Sequence, residues 1–366
     1  MDFRTIAVLG GGAGARALAA DLALQGCAVR MWDLPQFFTA LTCLQQEPTL
    51  TATGVIQGQA ALELVSGNLE MVVRDADFIC VVTQALAHAQ IAEALAPIVT
   101  ADQCILVNPG SSGGALEFAR VLHDRTAAKP VIAETSTLTH TCRIVSNREV
   151  LIRMRVGLVK MAALPASSTE RVLGSLRSLL PGLRPARDVL ETMLCNGNPI
   201  IHPTVMLLNT GTVERSGGRW QFYEEGFTPS VAAVVETLDA ERIALGRALG
   251  LELLPEPEMS YRQGYSTHTD YLRAYRDGPG FQGLGGPDAM SHRYITEDVA
   301  CALVTLLELG QVCGVPMPVA AAIAQLASTV SERDYVREAR RGLRSLGLAD
   351  LTPEQMLRFV QQGQCD

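Results

Sequence analysis

The chain lacks the features that mark several classes of protein. It has no run of basic residues, and its formal net charge over 366 residues is -8, which argues against nucleic acid or an anionic membrane as its main partner. We expect no signal peptide at the start of the chain and no membrane span, since its apolar stretches are short. We therefore expect a soluble protein whose partner is a small molecule.

The sequence also carries no pattern of a metal site or a disulfide framework. Its nine cysteines form no C-x-x-C pair and no metal-like spacing, and their number is odd. Most lie within apolar segments, where a cysteine is typically a small core side chain. These features predict a reducing, cytoplasmic environment and no bound metal. The cysteines are Cys27, Cys43, Cys80, Cys104, Cys142, Cys195, Cys301, Cys313 and Cys365.

The first 33 residues contain the most informative pattern that is present. An apolar run at residues 6–9 leads into a glycine turn and then into a second apolar run that ends at Asp33. This order is typical of strand, turn, helix and strand in a dinucleotide-binding fold. The amides and the dipole of the helix would favour a pyrophosphate at its start. The residues predicted to bind the dinucleotide here are Gly10, Gly12, Ala13, Gly14 and Ala15.

The acid after the second strand bears on the choice of dinucleotide. A carboxylate at this point accepts hydrogen bonds from the adenosine ribose and repels a 2′-phosphate. Asp33 therefore favours NAD over NADP, although the nearby Arg30 leaves NADP possible.

Two further apolar runs, at residues 77–83 and 104–107, are typical of buried strands. In an open α/β sheet the ligand binds outside the carboxyl ends of the strands. Thr83 and Asn108 are therefore predicted to lie at the edge of the cofactor, although Asn108 could equally be a turn residue.

The chain is long enough for two domains. In its first half, short β-like runs alternate with helical stretches, which predicts an α/β Rossmann domain with a doubly wound, mostly parallel sheet at residues 1–186. Long helical stretches follow, including residues 228–249 and 297–312, and they predict an all-α domain at residues 187–366. A Pro- and Gly-rich loop at residues 279–287 could cover a site.

Three side chains in the second half could carry chemistry. His202 precedes a proline, and since proline suits the first helical position, the residue is predicted to cap a helix N-terminus, where it is catalytic or merely structural. Asp298 lies at the predicted start of an apolar helix with Thr296 as its N-cap, where an acid also simply complements the helix dipole. Arg293 could anchor a carboxylate or be an ordinary solvated arginine. Sequence spacing alone does not bring these residues together.

Several longer motifs resemble the opine dehydrogenase family, and most closely its bacterial N-(1-D-carboxylethyl)-L-norvaline dehydrogenase type. The resemblance extends in one order over nearly the whole chain. The motifs are Asn108-Pro109-Gly110 with residues 113–118, Glu134-Thr135-Ser136 with Thr141-Cys142-Arg143, Asn198 with His202-Pro203, residues 225–231, and Arg293-Tyr294 with Glu297-Asp298-Val299.

The resemblance implies an NAD(P)H-dependent reductive condensation of an amino acid with an α-keto acid such as pyruvate. The two substrates form an imine, which hydride reduces to a secondary-amine dicarboxylate. It also implies that His202 and Asp298 are a catalytic pair and that Arg293 binds a substrate carboxylate. An imidazole titrates in the right range to give or take the required proton, and a carboxylate on its other nitrogen fixes the tautomer.

Because both substrates are acids, the site needs fixed positive charge, for which Arg143 is a second candidate beside Arg293. Asn108, Asn198 and Thr141 could position the nicotinamide or a substrate carboxylate, or could be turn or cap residues.

Two other functions remain as alternatives. One is a different Rossmann and helical-domain reductase of hydroxy or keto acids, such as ketopantoate reductase or glycerol-3-phosphate dehydrogenase. Those enzymes use a lysine in the helical domain, and this chain has no lysine after residue 160. The other is a dinucleotide-binding sensor without turnover. The excess of apolar helix after residue 228 predicts a homodimer.

Overall fold

The computed structural model describes residues 5–363, and Cys365 lies outside them. The chain divides into two compact units. The first contains the residues up to Thr192 and the chain from Arg358 onward, and the second is Met193–Leu357. The boundary predicted from the sequence, between residues 186 and 187, lies a few residues before this division. The prediction also assigned the end of the chain to the second domain, whereas the structure groups it with the first unit. In the structure, Gln361 donates a hydrogen bond to Asp188 of the first unit (3.1 Å).

The strands of the described chain are β1 (Thr5–Leu9), β2 (Ala28–Trp32), β3 (Thr49–Gly54), β4 (Gly58–Ala61), β5 (Leu64–Val65), β6 (Phe78–Val81), β7 (Cys104–Val107), β8 (Val131–Thr135), β9 (His140–Ser146), β10 (Glu149–Arg155), β11 (Val159–Leu164) and β12 (Leu183–Pro185).

Eight of these strands form the main sheet, in the order β12-β11-β8-β7-β6-β1-β2-β5. Neighbouring strands are parallel except β11, which is antiparallel to β8. The central strands are almost completely buried, as their continuous apolar runs require. The chain builds one side of the sheet with β2 and β5 and then the other side with β6, β7 and β8. The point where the order reverses therefore lies beside β1, where such sheets bind ligands.

A second sheet, with the order β4-β3-β10-β9, was not predicted. Its strands alternate buried with partly or fully exposed positions, and β9 is exposed over most of its length. These strands contain no apolar run of four or more residues, so they lack the signal that predicted the buried strands of the main sheet.

The helices of the described chain are α1 (Ala13–Leu24), α2 (Thr42–Gln46), α3 (Leu69–Val73), α4 (His88–Leu95), α5 (Gly114–Arg125), α6 (Thr169–Leu176), α7 (Val189–Leu194), α8 (Asn198–Leu208), α9 (Thr210–Ser216), α10 (Pro229–Ala248), α11 (Glu256–Gln263), α12 (Tyr271–Arg276), α13 (Arg293–Thr296), α14 (Val304–Val312), α15 (Pro318–Val330), α16 (Tyr335–Glu338) and α17 (Pro353–Gln362).

The second unit is helical, and its described residues form an isolated β-bridge but no strand. The predicted long helix at residues 228–249 is α10, with Thr228 as its N-cap. The helix predicted at residues 297–312 instead opens with a π-helical turn, Val299–Leu303, before α14. Within the described residues, no helix is both long enough and apolar enough to cross a membrane.

Candidate active site

The glycine turn between β1 and α1 has the backbone that its sequence predicts. Gly10 has φ +133°, and a Cβ there would lie 2.3 Å from the carbonyl oxygen of Val82, so only glycine fits. Gly12 immediately precedes α1, and a Cβ on it would meet no atom within 4 Å. The turn therefore has open space in front of the helix N-terminus, as a pyrophosphate requires.

The next small residues pack α1 closely against its surroundings. A Cβ on Gly14 would lie 3.0 Å from the side chain of Leu138, and Ala15 is completely buried. Ala13 is the first residue of α1. Larger side chains at Gly14 or Ala15 would push the helix away from its packing partners.

A buried arginine that sequence reasoning missed holds the glycine turn in place. Arg16 is 2% exposed, and its guanidinium donates hydrogen bonds to the carbonyl oxygens of Gly11 (2.9 Å), Asn147 (2.6 Å) and Ala40 (2.6 Å). Burial lowers its pKa, and the three carbonyls supply the acceptors that a buried cation needs. The signal in the sequence was a charged residue, one of two with Asp21, inside a mostly apolar helix.

Asp33 directly follows β2 and lies beside the glycine turn. Its Oδ1 accepts a hydrogen bond from the amide of Leu34 (2.8 Å), and its Oδ2 lies close to Gly11. Burial raises the pKa of this carboxyl group, an effect that the backbone amides of Leu34 and Gly11 partly oppose. The carboxylate thus lies where the sequence pattern places an acceptor for ribose hydroxyls.

Thr83 and Asn108 both lie at the carboxyl ends of their strands, β6 and β7. The Thr83 hydroxyl is buried without a hydrogen-bond partner among the described residues, and its methyl group lies 3.2 Å from where a Cβ on Gly10 would be. An orphaned hydroxyl beside the glycine turn is what a bound ligand would satisfy. Asn108 is completely buried, and its side chain bonds to Thr135 and Thr139. Open space before α1 and an orphaned hydroxyl together fit a dinucleotide.

The structure places Thr141 and Arg143 on β9 of the small sheet. Thr141 is half-buried and Arg143 is exposed. Both belong to the first unit, with the glycine turn, whereas His202, Asp298, Arg293 and Asn198 belong to the second.

The expectation that His202 caps a helix is wrong. His202 lies in the interior of α8, which begins at Asn198 and carries Pro199 in its first turn and Pro203 in its interior. The first-turn proline of α8 is thus Pro199, whereas the prediction had placed Pro203 in that position. Asn198 lies four residues before His202, so the two share one face of the helix.

His202 and Asp298 lie 96 positions apart in sequence but form a buried pair. The Nδ1 of His202 lies 2.8 Å from Oδ2 of Asp298, and both side chains are less than one-tenth exposed. The ring stacks on Tyr294 with centroids 3.8 Å apart. A histidine held by a carboxylate on one nitrogen and by a ring on one face has a fixed orientation.

The second nitrogen of His202 contacts a residue that sequence reasoning missed. The Tyr223 hydroxyl lies 3.2 Å from Nε2. Burial raises the pKa of Tyr223 well above 10, so its phenol stays protonated at neutral pH and donates to Nε2. Tyr223 comes shortly before the family motif at residues 225–231, which was the available signal.

The segment that carries Asp298 differs from its predicted form. The N-cap of α13 is His292, which accepts a hydrogen bond from the amide of Tyr294 (3.3 Å), and Thr296 is the last residue of α13 rather than an N-cap. Asp298 precedes the π-helical turn, and such turns occur frequently at functional sites.

Arg293 is held by Glu297, one helical turn away. Its Nε donates to Oε2 of Glu297 (2.7 Å), and its side chain remains 38% exposed. Burial alone would lower the pKa of Arg293, but the carboxylates of Glu297 and Asp298 together raise it. The guanidinium is therefore a permanent positive charge close to the His202–Asp298 pair.

No group of histidine, cysteine or acidic side chains within residues 5–363 is arranged to hold a metal ion. The chemistry that the second unit offers is instead that of a histidine held by a carboxylate, a phenol and a neighbouring guanidinium. Such a group can exchange a proton next to a bound anion.

Comparison with known proteins identifies the family. Residues 185–331 match the family model of NAD/NADP octopine/nopaline dehydrogenase, alpha-helical domain. An opine dehydrogenase of Arthrobacter sp. (strain 1C) is 38% identical over 96% of this chain and 97% of its own length. The protein ocs of Agrobacterium tumefaciens (strain Ach5) is 28% identical over 97% of this chain and 98% of its own. In fold, the chain is similar to octopine dehydrogenase solved with NADH and L-arginine (TM-score 0.78, 20% identity, 96% and 97% of the two chains). The chain therefore belongs to the opine dehydrogenase family of NAD(P)-dependent dehydrogenases.

Proposed function

We propose that the protein condenses an amino acid with an α-keto acid, such as pyruvate, to an imine and reduces it with NADH to an N-(carboxyalkyl) amino acid. The observation that carries this proposal is the buried Asp298–His202–Tyr223 chain beside Arg293. It offers a proton donor next to a fixed positive charge, as reduction of an imine between two acids requires.

The cofactor would be held by the first unit and would supply hydride when bound. The residues proposed to hold it are Gly10, Gly12, Ala13, Gly14, Ala15, Asp33, Thr83 and Asn108. The position of Asp33 beside Gly11 favours NAD over NADP, since a 2′-phosphate there would meet a carboxylate.

His202 is proposed to be the general acid and base. Asp298 accepts the hydrogen on Nδ1, so the neutral ring carries its lone pair on Nε2. Once protonated, the imidazolium is stabilised by the same carboxylate, and its Nε2 hydrogen, shared between the Tyr223 oxygen and the substrate nitrogen, can pass to that nitrogen. The reverse reaction would use the neutral ring as the base.

Tyr223 is proposed to hold Nε2 in both states of His202. A phenol hydroxyl both donates and accepts, so Tyr223 can donate to the neutral ring and accept from the imidazolium. The orientation of the ring is then the same before and after the proton moves, which keeps the reacting geometry fixed.

Arg293 is proposed to bind a substrate carboxylate. Glu297 binds the Nε of this arginine and leaves its two Nη groups, which form the fork that matches a carboxylate. Asn198, Thr141 and Arg143 are further candidates for substrate binding. A cytoplasmic location and a homodimer also remain proposals that rest on the sequence.

The test is to follow the oxidation of NADH and of NADPH by absorbance with pyruvate and each amino acid in turn, with pyruvate alone as the control. We expect oxidation only when both substrates are present, and faster with NADH. Oxidation with pyruvate alone would indicate a hydroxy-acid dehydrogenase instead. If no pair of substrates supports oxidation with other α-keto acids included, the proposal fails and a sensor role is favoured.

A further inference from the structure

A second buried histidine–carboxylate pair lies in the first unit and has no part in the proposed reaction. The Nε2 of His140 lies 2.8 Å from Oδ2 of Asp21, and the two side chains are 1% and 0% exposed. Arg155 binds both oxygens of the same carboxylate, and Gln25 donates to Oδ1 (2.8 Å). Asp21 is therefore a fully hydrogen-bonded anion on α1, the helix that follows the glycine turn.

The pair continues through hydrogen bonds to the carboxyl edge of the main sheet. The Nδ1 of His140 lies 3.0 Å from Oγ1 of Thr139. The same hydroxyl accepts a hydrogen bond from Nδ2 of Asn108 (2.9 Å). Asn108 Oδ1 in turn accepts from the Thr139 amide (3.2 Å) and the Thr135 hydroxyl (3.0 Å). A continuous buried chain thus joins α1 to the residue that follows β7.

The directions of the hydrogen bonds in this chain follow from the groups that can only donate or only accept. The backbone N–H of Thr139 must donate, so it identifies Oδ1 of Asn108 as the acceptor and leaves Nδ2 to donate to the Thr139 hydroxyl. When the His140 ring carries a single hydrogen, on Nε2, where it is donated to Asp21, that hydroxyl gives its own hydrogen to Nδ1.

The protonation of Asp21, at the other end of the chain, also places a hydrogen on Nε2 of His140. Burial alone would raise the pKa of Asp21, but the hydrogen bonds from Arg155 and His140 and the charge of Arg155 outweigh it and lower the pKa to about 2. The carboxylate is thus ionised and only accepts, which again requires a hydrogen on Nε2 of His140. Both ends place a hydrogen on Nε2 of His140, and the Thr139 backbone N–H fixes the orientation of the Asn108 amide.

Asn108 begins a loop, residues 108–113, whose backbone needs external support. Ser111, Ser112 and Gly113 all have positive φ, at 47°, 65° and 105°, and such conformations in non-glycine residues persist only when the surroundings impose them. The backbone N–H of Asn108 also donates to the carbonyl oxygen of Val81 at the end of β6 (2.8 Å). The loop therefore lies on the β6–β7 side of the point where the strand order reverses, opposite Asp33 after β2.

We propose that Asp21, His140 and Thr139 are positioning residues that fix the Asn108 amide and its loop, and so determine the affinity for the nicotinamide half of the dinucleotide. The inference rests on the proposed cofactor site, in which Asp33 takes the adenosine half on the β2 side. None of these three residues needs to touch the dinucleotide.

The test compares two ligands of the purified protein by calorimetry, NADH and ADP-ribose, the second of which lacks the nicotinamide. Thr139→Val removes the central hydroxyl and keeps the shape of the side chain. We expect its Kd for NADH to rise about tenfold, while its Kd for ADP-ribose stays within about twofold of the wild type, since the glycine turn and Asp33 are unchanged. Thr139→Ser, which keeps the hydroxyl, should bind both ligands normally.

The matched control is Thr169→Val, which removes a buried hydroxyl of the first unit that binds the Ala163 amide (3.0 Å) outside the chain. It should bind both ligands as the wild type does. If Thr139→Val does not fold, Thr139→Ala replaces it with the same expectation.

Wild-type NADH affinity in the folded variant, or equal weakening of both ligands, would overturn the inference. If the wild type itself binds neither NADH nor ADP-ribose, the proposed cofactor site fails and the inference falls with it, so the two failures are distinguishable.

Discussion

The two units each contain a histidine bonded to a carboxylate at 2.8 Å, yet the two pairs have different surroundings. In the first unit, Asp21 is also bound by Arg155, and the other nitrogen of His140 ends on a hydroxyl within a closed chain. In the second unit, the other nitrogen of His202 contacts only the phenol of Tyr223 among the described residues. The distance between histidine and carboxylate therefore does not distinguish the pair that we propose to be catalytic from the other one.

The difference lies in the group that the second ring nitrogen contacts and in the charge that accompanies the carboxylate. Arg155 binds both oxygens of Asp21 and neutralises this carboxylate, which gives the His140–Asp21 pair a structural role. Near His202 the arginine, Arg293, is bound instead to Glu297 and keeps part of its surface exposed. The charge of Arg293 is therefore accessible to a ligand in the second unit, whereas in the first unit the charge of Arg155 is neutralised by Asp21.

The different roles of the two pairs are tested most directly by replacing each histidine in turn. His202→Ala should lower turnover by about 10² to 10⁴-fold, since it removes the proposed general acid. Its Kd for NADH, measured by calorimetry, should be unchanged. His140→Ala should lower the thermal unfolding temperature, because it leaves Asp21 with an empty hydrogen-bond position, and should reduce turnover at saturating NADH far less. Near-normal turnover in His202→Ala, or an equal loss in both variants, would contradict the distinction.

A second test uses the acid dependence of stability. The pKa of Asp21 is about 2 in the folded protein against an ordinary value of 3.8. A lowered pKa contributes stability that is complete above about pH 4 and is lost as the pH falls towards 2, and the shift corresponds to about 2 kcal/mol. The unfolding temperature of Asp21→Asn, measured by calorimetry, should therefore lie below that of the wild type by a constant gap at neutral pH. That gap should narrow below pH 4, and a gap that does not change with pH would contradict the assigned role of Asp21.

The local part of the fold could be predicted because it depends on short-range patterns. The run from β1 through the glycine turn to β2 was predicted from spacing alone, and β7 has the predicted bounds, residues 104–107. Positive φ at Gly10 and the small residues after it are needed wherever this turn forms. The small sheet was missed because its half-exposed strands lack that kind of pattern.

The candidate site could be predicted only in part because it depends on long-range contacts. His202 and Asp298 were singled out from their local motifs and were assigned as a pair through the family resemblance, and only the fold brings them to 2.8 Å. Tyr223 was missed because a tyrosine beside an apolar segment is ordinarily a core residue. Asp21 was missed although it stands out as an acid inside the mostly apolar helix α1, since its partners His140 and Arg155 lie more than one hundred positions away.

The smallest expected effect is that of removing the Tyr223 hydroxyl, the group that contacts the second ring nitrogen of His202. Tyr223→Phe keeps the ring that packs against Phe281 (centroids 4.5 Å apart) and removes the hydroxyl that contacts Nε2 of His202. We expect kcat to fall about tenfold, as for the loss of one hydrogen bond, with KM for NADH and the unfolding temperature nearly unchanged.

The matched control for this variant is Tyr275→Phe, which removes a neighbouring buried hydroxyl that bonds to Glu256 (3.4 Å) and not to His202. Its kcat should stay within about twofold of the wild type, because the Asp298–His202–Tyr223 chain is intact. If both variants lose activity equally, the hydroxyl of Tyr223 acts only through packing. If neither loses activity, the substrate alone must orient Nε2, and the two histidine pairs would then differ only in the charge beside each carboxylate.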